Sequence, residues 1–251
     1  MRPPPYKCLF CLNTNGPFVR VEHPIPESLG NDEFSLPPGF VCDPCNQYFG
    51  AKVEGRILNY PPFSIERTGG AIKTKKGKLA KAQNKDFIIS SSGIWDRVFF
   101  AGTRDAAESI VKKGVLYVVP PPDYGNLLAR FLLKMGLELL STSEDVDALG
   151  PEFNGARDCA RYGKGVENWN VGYGLYPDRK DVVISTREDE FGLVETRQIY
   201  EYSIGAMPGG DIVFFFAFFT HCFQCNLSNP DLGESLFIFN QTNKFSMQGR
   251  F

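Results

Sequence analysis

Four cysteines near the N-terminus form two Cys-x-x-Cys pairs, Cys8 with Cys11 and Cys42 with Cys45. A Cys-x-x-Cys turn lets two sulfurs reach one ion, and two such turns complete the tetrahedral shell that Zn²⁺ prefers. The surrounding segment is rich in proline and turn-forming residues, so metal ligation would supply folding free energy that a small core cannot. We therefore predict a structural zinc ion. Redox-active or adventitious cysteines are the alternative.

Beside these pairs lie an acidic–histidine step and an asparagine. Glu22 precedes His23, and Asn46 directly follows the second Cys-x-x-Cys pair. An imidazole titrates near neutral pH, which suits a general base that activates water. Carboxylate and amide oxygens are hard ligands that suit Mg²⁺ or Mn²⁺ rather than a thiolate-bound ion. These residue types favour metal-assisted hydrolysis.

The order of these residues resembles the HNH endonuclease family, in which an acidic–His pair followed by Ile/Val-x-Pro leads to Cys-x-x-Cys-Asn or Cys-x-x-Cys-His. The resemblance covers about residues 6–56. It implies a ββα-metal fold, a β-hairpin followed by a helix, around a catalytic divalent metal ion. It also implies that His23 activates water and that Glu22 and Asn46 bind Mg²⁺ or Mn²⁺ while a phosphodiester bond in DNA is hydrolysed.

Two features qualify this resemblance. Many HNH motifs carry a middle asparagine that steadies the loop of the histidine, but residues 34–41 contain none, and Asn31 is the nearest substitute. Successive strand residues point to opposite faces, so Glu22 and His23 can serve one site only if the backbone bends there. The prolines that follow, Pro24 and Pro26, favour such a bend.

Basic residues are concentrated in the first third of the chain. Residues 1–85 hold 12 Lys and Arg against 7 Asp and Glu, whereas the remainder holds 15 against 22. A polyanion should therefore meet the N-terminal third. The predicted phosphate contacts are Lys52, Arg56, Lys73, Lys75, Lys76 and Lys78. A solvated loop without function is the alternative for the lysine-rich stretch.

A second cysteine pair lies near the C-terminus. His221, Cys222 and Cys225, together with Cys159, could in principle form another zinc site. Because the pair adjoins an aromatic run, buried apolar cysteines are the favoured interpretation.

The elements that must position these residues divide the chain into three zones. We predict an HNH module over 1–56, a basic linker or hairpin over 57–85, and an accessory α+β domain with a mainly antiparallel sheet over 86–251. Strands are predicted at 87–89, 115–119, 182–185, 194–204, 212–219 and 236–239, and helices over 124–141 and from Pro151 to Gly163. Lys134 and Glu138 are expected as an i,i+4 pair on the wetter face of the longer helix.

The sequence thus predicts an HNH-type endonuclease that acts on DNA. The alternatives are a ribonuclease, a non-catalytic module that uses the HNH scaffold to bind nucleic acid or protein, and a structural protein organised by its C-terminal domain. That domain could support a homodimer or bind a partner protein. No secretory signal and no membrane-spanning run is visible, so we expect a cytoplasmic protein without membrane contact.

Overall fold

The computed structural model describes residues 3–31, 34–74, 76–95, 97–113, 120–175, 184–189, 192–197, 199–232 and 246–250. The helices are α1 (Asp43–Phe49), α2 (Gly55–Ile57), α3 (Phe63–Gly69), α4 (Arg104–Lys113), α5 (Tyr124–Leu140) and α6 (Asn154–Tyr162). A π-helical turn, Gly50–Glu54, joins α1 to α2. Short 3-10 turns lie at Glu27–Leu29, Pro151–Phe153 and Val166–Asn168. Among the described residues no helix is both long and apolar enough to cross a bilayer.

The strands are β1 (Lys81–Gln83), β2 (Phe87–Ser91), β3 (Val98–Gly102), β4 (Val171–Leu175), β5 (Ile184–Asp189), β6 (Gly192–Arg197), β7 (Tyr200–Ala206), β8 (Ile212–Phe218), β9 (His221–Asn226) and β10 (Ser246–Arg250). They form a three-stranded sheet β1-β2-β3, a five-stranded sheet β10-β4-β9-β8-β7 and the hairpin β5-β6. Every pairing between these strands is antiparallel. The predicted α+β class with an antiparallel sheet is confirmed.

Helix α5 lies at the centre of the core. Of its 17 residues, 14 are buried, which is typical of a helix covered on nearly all sides. Gly136 lets the large sheet approach closely, because a Cβ there would lie 2.7 Å from Leu227 Cδ2 and 2.9 Å from Phe214 Cγ. The same cluster of buried side chains runs from Cys8 through α5 to Leu227. The N-terminal residues and the later sheet therefore share one core, and the division at residues 56 and 85 stays a prediction.

The prediction for the wetter face of α5 is wrong. Lys134 and Glu138 do lie 2.9 Å apart as an i,i+4 pair, but both side chains are fully buried. Segments from the N-terminal module cover this face of the helix, which the helical pattern alone could not reveal.

Several predicted elements can be compared directly. The helix of residues 124–141 is confirmed as α5, and α6 begins after a turn at Pro151 and ends at Gly163, whose φ is 72°. The single strand predicted over 194–204 is wrong, because β6 ends at Arg197 and β7 starts at Tyr200. The predicted strands at 115–119 and 236–239 lie outside the described residues, as do residues 182 and 183 of the strand predicted at 182–185, whose other half begins β5.

Candidate functional site

The four N-terminal cysteines converge in space. The Sγ atoms of Cys8, Cys11, Cys42 and Cys45 all lie within 4.8 Å of one another, and those of Cys11 and Cys42 are 3.6 Å apart. None of them forms a disulfide. Zinc–sulfur bonds of about 2.3 Å in a tetrahedron place sulfurs about 3.8 Å apart, so this cysteine cluster fits a zinc ion. Cys42 caps helix α1 and Cys45 lies in its first turn.

The charges around the cysteine cluster also suit a bound dication. A hydrogen bond from Cys45 lowers the pKa of Cys8 to about 5, whereas burial raises the pKa of Cys42 to about 12. Without a metal ion, therefore, the sulfurs share protons rather than ionise together. Arg161 on α6 donates from Nε to Cys45 Sγ at 3.3 Å, and its guanidinium lies 3.8 Å from the ring centroid of Tyr48. Arg161 by itself lowers the pKa of Cys45, but the hydrogen bond with Cys8 and burial outweigh it, so that pKa is raised overall.

The predicted hairpin around Glu22 is reduced to one antiparallel bridge. Glu22 N donates to Leu36 O at 3.3 Å, and Leu36 N donates to Glu22 O at 2.7 Å. The alternation of strand side chains holds here: Glu22 is buried, whereas His23 stays 22% exposed. The two residues therefore face different surroundings.

His23 forms a pair with a carboxylate that sequence reasoning missed. Its Nε2 atom lies 3.1 Å from Glu27 Oε1, in the 3-10 turn that follows Pro26. Its Nδ1 atom is buried and has no hydrogen-bond partner among the described residues. A carboxylate at Nε2 favours the tautomer with its proton there, which leaves the lone pair on Nδ1. The i,i+4 spacing of His23 and Glu27 was the available signal.

Two asparagines fix the backbone on either side of the histidine. Asn46 donates from Nδ2 to Val21 O at 3.1 Å, which ties α1 to the residue before Glu22. The buried Asn31 donates from Nδ2 to Ile25 O and to Phe34 O, both at 2.7 Å. Asn31 thus spans the loop that carries His23.

A buried lysine lies beside Glu22. Lys134 Nζ is 2.7 Å from Glu22 Oε1, 2.8 Å from Glu54 Oε1 and 2.9 Å from Glu138 Oε2. It also donates to His23 O at 2.9 Å. Burial alone would lower the pKa of Lys134, but the carboxylates hold it well above its usual value. We call these four side chains and the His23 carbonyl the Lys134 cluster.

The Lys134 cluster bears on the second metal ion that the resemblance implies. Among the described residues, the cysteine cluster is the one group of three or more side chains spaced to hold a metal. The Glu22 carboxylate is paired with the Lys134 ammonium at 2.7 Å, which disfavours a divalent ion at that oxygen. Asn46 donates from Nδ2 to Val21 O, and this bond does not engage Oδ1, the atom that would ligate a metal ion. The metal role of Glu22 and Asn46 therefore stays a prediction, and the pairing of Glu22 is the observation against it.

The predicted phosphate contacts differ in their surroundings. Lys52, Lys73, Lys76 and Lys78 are exposed, and the last two flank a turn at Gly77, whose φ is 71°. Arg56 is exposed but paired with Asp123 at 2.7 Å. Lys75 lies outside the described residues.

The C-terminal cysteines form no further metal cluster among the described residues. Cys222 and Cys225 both lie on β9, where their odd spacing sends them to opposite faces of the sheet, and each packs in a different apolar cluster. Buried apolar cysteines are confirmed.

Comparison with known proteins points to the same N-terminal segment. Residues 8–61 match the family model described as HNH endonuclease. No curated protein and no solved structure matches the chain. The matched residues contain all four thiols, Glu22, His23, Asn46 and Glu54. Residues 8–61, about a fifth of the chain, are therefore an HNH-like module.

Proposed function

We propose that this chain is an endonuclease that hydrolyses phosphodiester bonds in DNA, with His23 as general base. The His23–Glu27 pair carries the proposal, because it leaves one imidazole nitrogen without a partner inside a module that matches HNH endonucleases. The basic N-terminal third of the chain supports a nucleic-acid substrate.

The proposed step follows from the tautomer. Glu27 accepts a hydrogen bond from Nε2–H of His23 and fixes the ring, so that Nδ1 takes a proton from the attacking water. The water oxygen bonds to phosphorus as the bond to the leaving ester oxygen breaks. Because Nδ1 is buried in this conformation, the residues that cover it must move aside when the substrate binds, while Nε2 keeps its contact with Glu27. The cysteine cluster would hold zinc, which supplies folding free energy to the module.

Plasmid nicking tests this proposal. The zinc-loaded chain should convert supercoiled DNA to open circles, with or without added Mg²⁺ or Mn²⁺, and His23→Ala should lose at least about a hundredfold in rate. His221→Gln is the matched control, because the only other histidine lies on β9 and contacts a different glutamate. Equal rates for His23→Ala and wild type would refute the role of His23. Competition between labelled DNA and RNA would separate a deoxyribonuclease from a ribonuclease.

A second candidate is a non-catalytic nucleic-acid-binding module. The observation that favours it is the pairing of Glu22 with Lys134, since an acidic residue that the family uses at its reaction centre is already neutralised. This candidate predicts a gel shift with duplex DNA and no strand cleavage in either wild type or His23→Ala.

A further inference from the structure

Lys134 occupies a position that resembles that of a bound cation. Its Nζ atom is surrounded by four oxygens at 2.7–2.9 Å: one from each of Glu22, Glu54 and Glu138, and the carbonyl of His23. These are hydrogen-bond and ion-pair distances for an ammonium, and they are longer than the 2.0–2.1 Å of Mg²⁺–oxygen bonds. The side chain is fully buried, so water cannot take the place of these oxygens.

The four oxygens come from separate parts of the chain. Glu22 and His23 lie at the bridge, Glu54 ends the π-helical turn, and Glu138 is one turn further along α5 than Lys134. A single positive charge therefore holds together the Glu22–Leu36 bridge, the π-helical turn between α1 and α2, and α5. Without it, the carboxylates of Glu22 and Glu54 would face each other in a buried space, which is strongly unfavourable.

We propose that the Lys134 ammonium is the resident cation of the HNH module and takes the place beside Glu22 that the family gives to a divalent metal ion. The wild-type protein then binds zinc at the cysteine cluster and no second metal at Glu22. That the position beside Glu22 matters for catalysis rests on the proposed function. That Lys134 occupies this position does not rest on it.

Manganese binding tests this inference without any measurement of DNA cleavage. The zinc-loaded full chain is titrated with Mn²⁺ and the loss of the free-ion signal is followed by electron paramagnetic resonance. Wild type should have no Mn²⁺ site that depends on Glu22, so Glu22→Gln should bind Mn²⁺ no more weakly than wild type. Lys134→Met should bind one Mn²⁺ per chain at least about tenfold more tightly than wild type, because the carboxylates lose their internal cation. The double variant Lys134→Met/Glu22→Gln should lose that site again.

A second variant is measured in case Lys134→Met does not fold. Lys134→Met leaves uncompensated buried carboxylates and can unfold the chain, so Lys134→Met/Glu138→Gln, which also replaces the buried Glu138 carboxyl by a neutral amide, is measured beside it. Zinc content and circular dichroism confirm that each variant is folded. If neither variant folds, the comparison of wild type with Glu22→Gln is the test. The absence of a Glu22-dependent Mn²⁺ site in wild type then supports the inference.

Two results would overturn it. One is a Mn²⁺ site in wild type that Glu22→Gln abolishes, since the ammonium would then coexist with the metal. The other is a folded Lys134→Met variant that gains no Mn²⁺ site, since the ammonium would then be a structural ion pair alone. Because the readout is metal stoichiometry, a protein that cuts no DNA can still pass this test, and an active nuclease can still fail it.

Discussion

His23 and Glu22 are neighbours in sequence, yet their side chains meet different partners. The bridge to Leu36 gives this step strand geometry, so the carboxylate faces the core and the imidazole faces the 3-10 turn. The sequence identified both residues and the alternation between them. It could not show which partner each would find, because Lys134 lies 112 residues after Glu22 in the chain.

Glu27 is expected to position the base rather than to touch the substrate. Glu27→Gln should lower kcat for DNA cleavage by about tenfold or more, with little change in KM, because the neutral amide orients the imidazole less strongly. Steady-state kinetics on a fluorescent duplex would measure both. The control is Glu66→Gln, which alters the His221–Glu66 contact of 3.0 Å instead. An unchanged kcat in Glu27→Gln would remove Glu27 from the mechanism.

Asn31 is expected to matter for stability. Asn31→Ala would leave the carbonyls of Ile25 and Phe34 without their buried donor, at a cost of about 2–3 kcal/mol in the free energy of unfolding. Urea denaturation followed by fluorescence measures this loss. Asn59→Ala, at an exposed asparagine bonded to Gly55 O, should cost less than about 1 kcal/mol. Similar losses in the two variants would contradict a special role for Asn31.

Among the secondary-structure elements, the π-helical turn is the one that brings Glu54 to Lys134. Gly55 lies directly after it, and a Cβ at Gly55 would be 2.8 Å from Gly50 O, closer than any relaxed contact. A Cβ at Gly50 would meet nothing within 4 Å. A side chain is therefore excluded at Gly55 and tolerated at Gly50, although both residues have helical dihedral angles.

This contrast gives a paired prediction. Gly55→Ala should lower the free energy of unfolding by about 1–2 kcal/mol through the forced contact, whereas Gly50→Ala should raise it by about 0.5–1 kcal/mol through reduced freedom of the unfolded chain. Calorimetry on both variants under one condition would measure the signs. A stabilised Gly55→Ala variant would show that the turn can relax to an ordinary α-helix.

Elements with strong local signals were predictable, and those that depend on distant partners were not. The leucine pattern located α5, and Pro151 and Gly163 bounded the region of α6. The π-helical turn and α4 carry no distinctive pattern and were missed. In the site, the spacing of four cysteines was sufficient, because the ligands of a knuckle are local. The Lys134 cluster joins three segments, so no window of sequence contains it.

For the molecule as a whole, the shared core couples the cysteine cluster to the rest of the chain. Cys42→Ser should lower the zinc content below one ion per chain. It should also move a single calorimetric unfolding transition to lower temperature, because the apolar side chains around the cysteine cluster continue into α5 and the large sheet. Cys222→Ala, at a buried cysteine outside the cluster, should retain zinc. Two separate transitions in Cys42→Ser would show instead that the module unfolds alone.

The charge asymmetry of the chain leads to a prediction about binding. If the exposed lysines on either side of Gly77 contact phosphates, Lys76→Ala/Lys78→Ala should reduce the slope of log K against log salt concentration by about 2. Fluorescence anisotropy of a labelled duplex at several salt concentrations gives this slope. Lys112→Ala, at an α4 lysine paired with Glu108 at 2.9 Å, should leave it unchanged. Equal slopes in all three proteins would place the phosphate contacts elsewhere.

Lys134 lies far outside the segment that the family model matches, and this limits how the gene can be rearranged. Recombination at residue 61 would transplant the two carboxylates of Glu22 and Glu54, together with His23, into a new host without the positive charge that neutralises them. A chimera of that kind would need either a metal ion or a compensating lysine from its new neighbour. Descendants of such fusions should therefore show paired changes at Glu22 or Glu54 and on whichever helix packs against them.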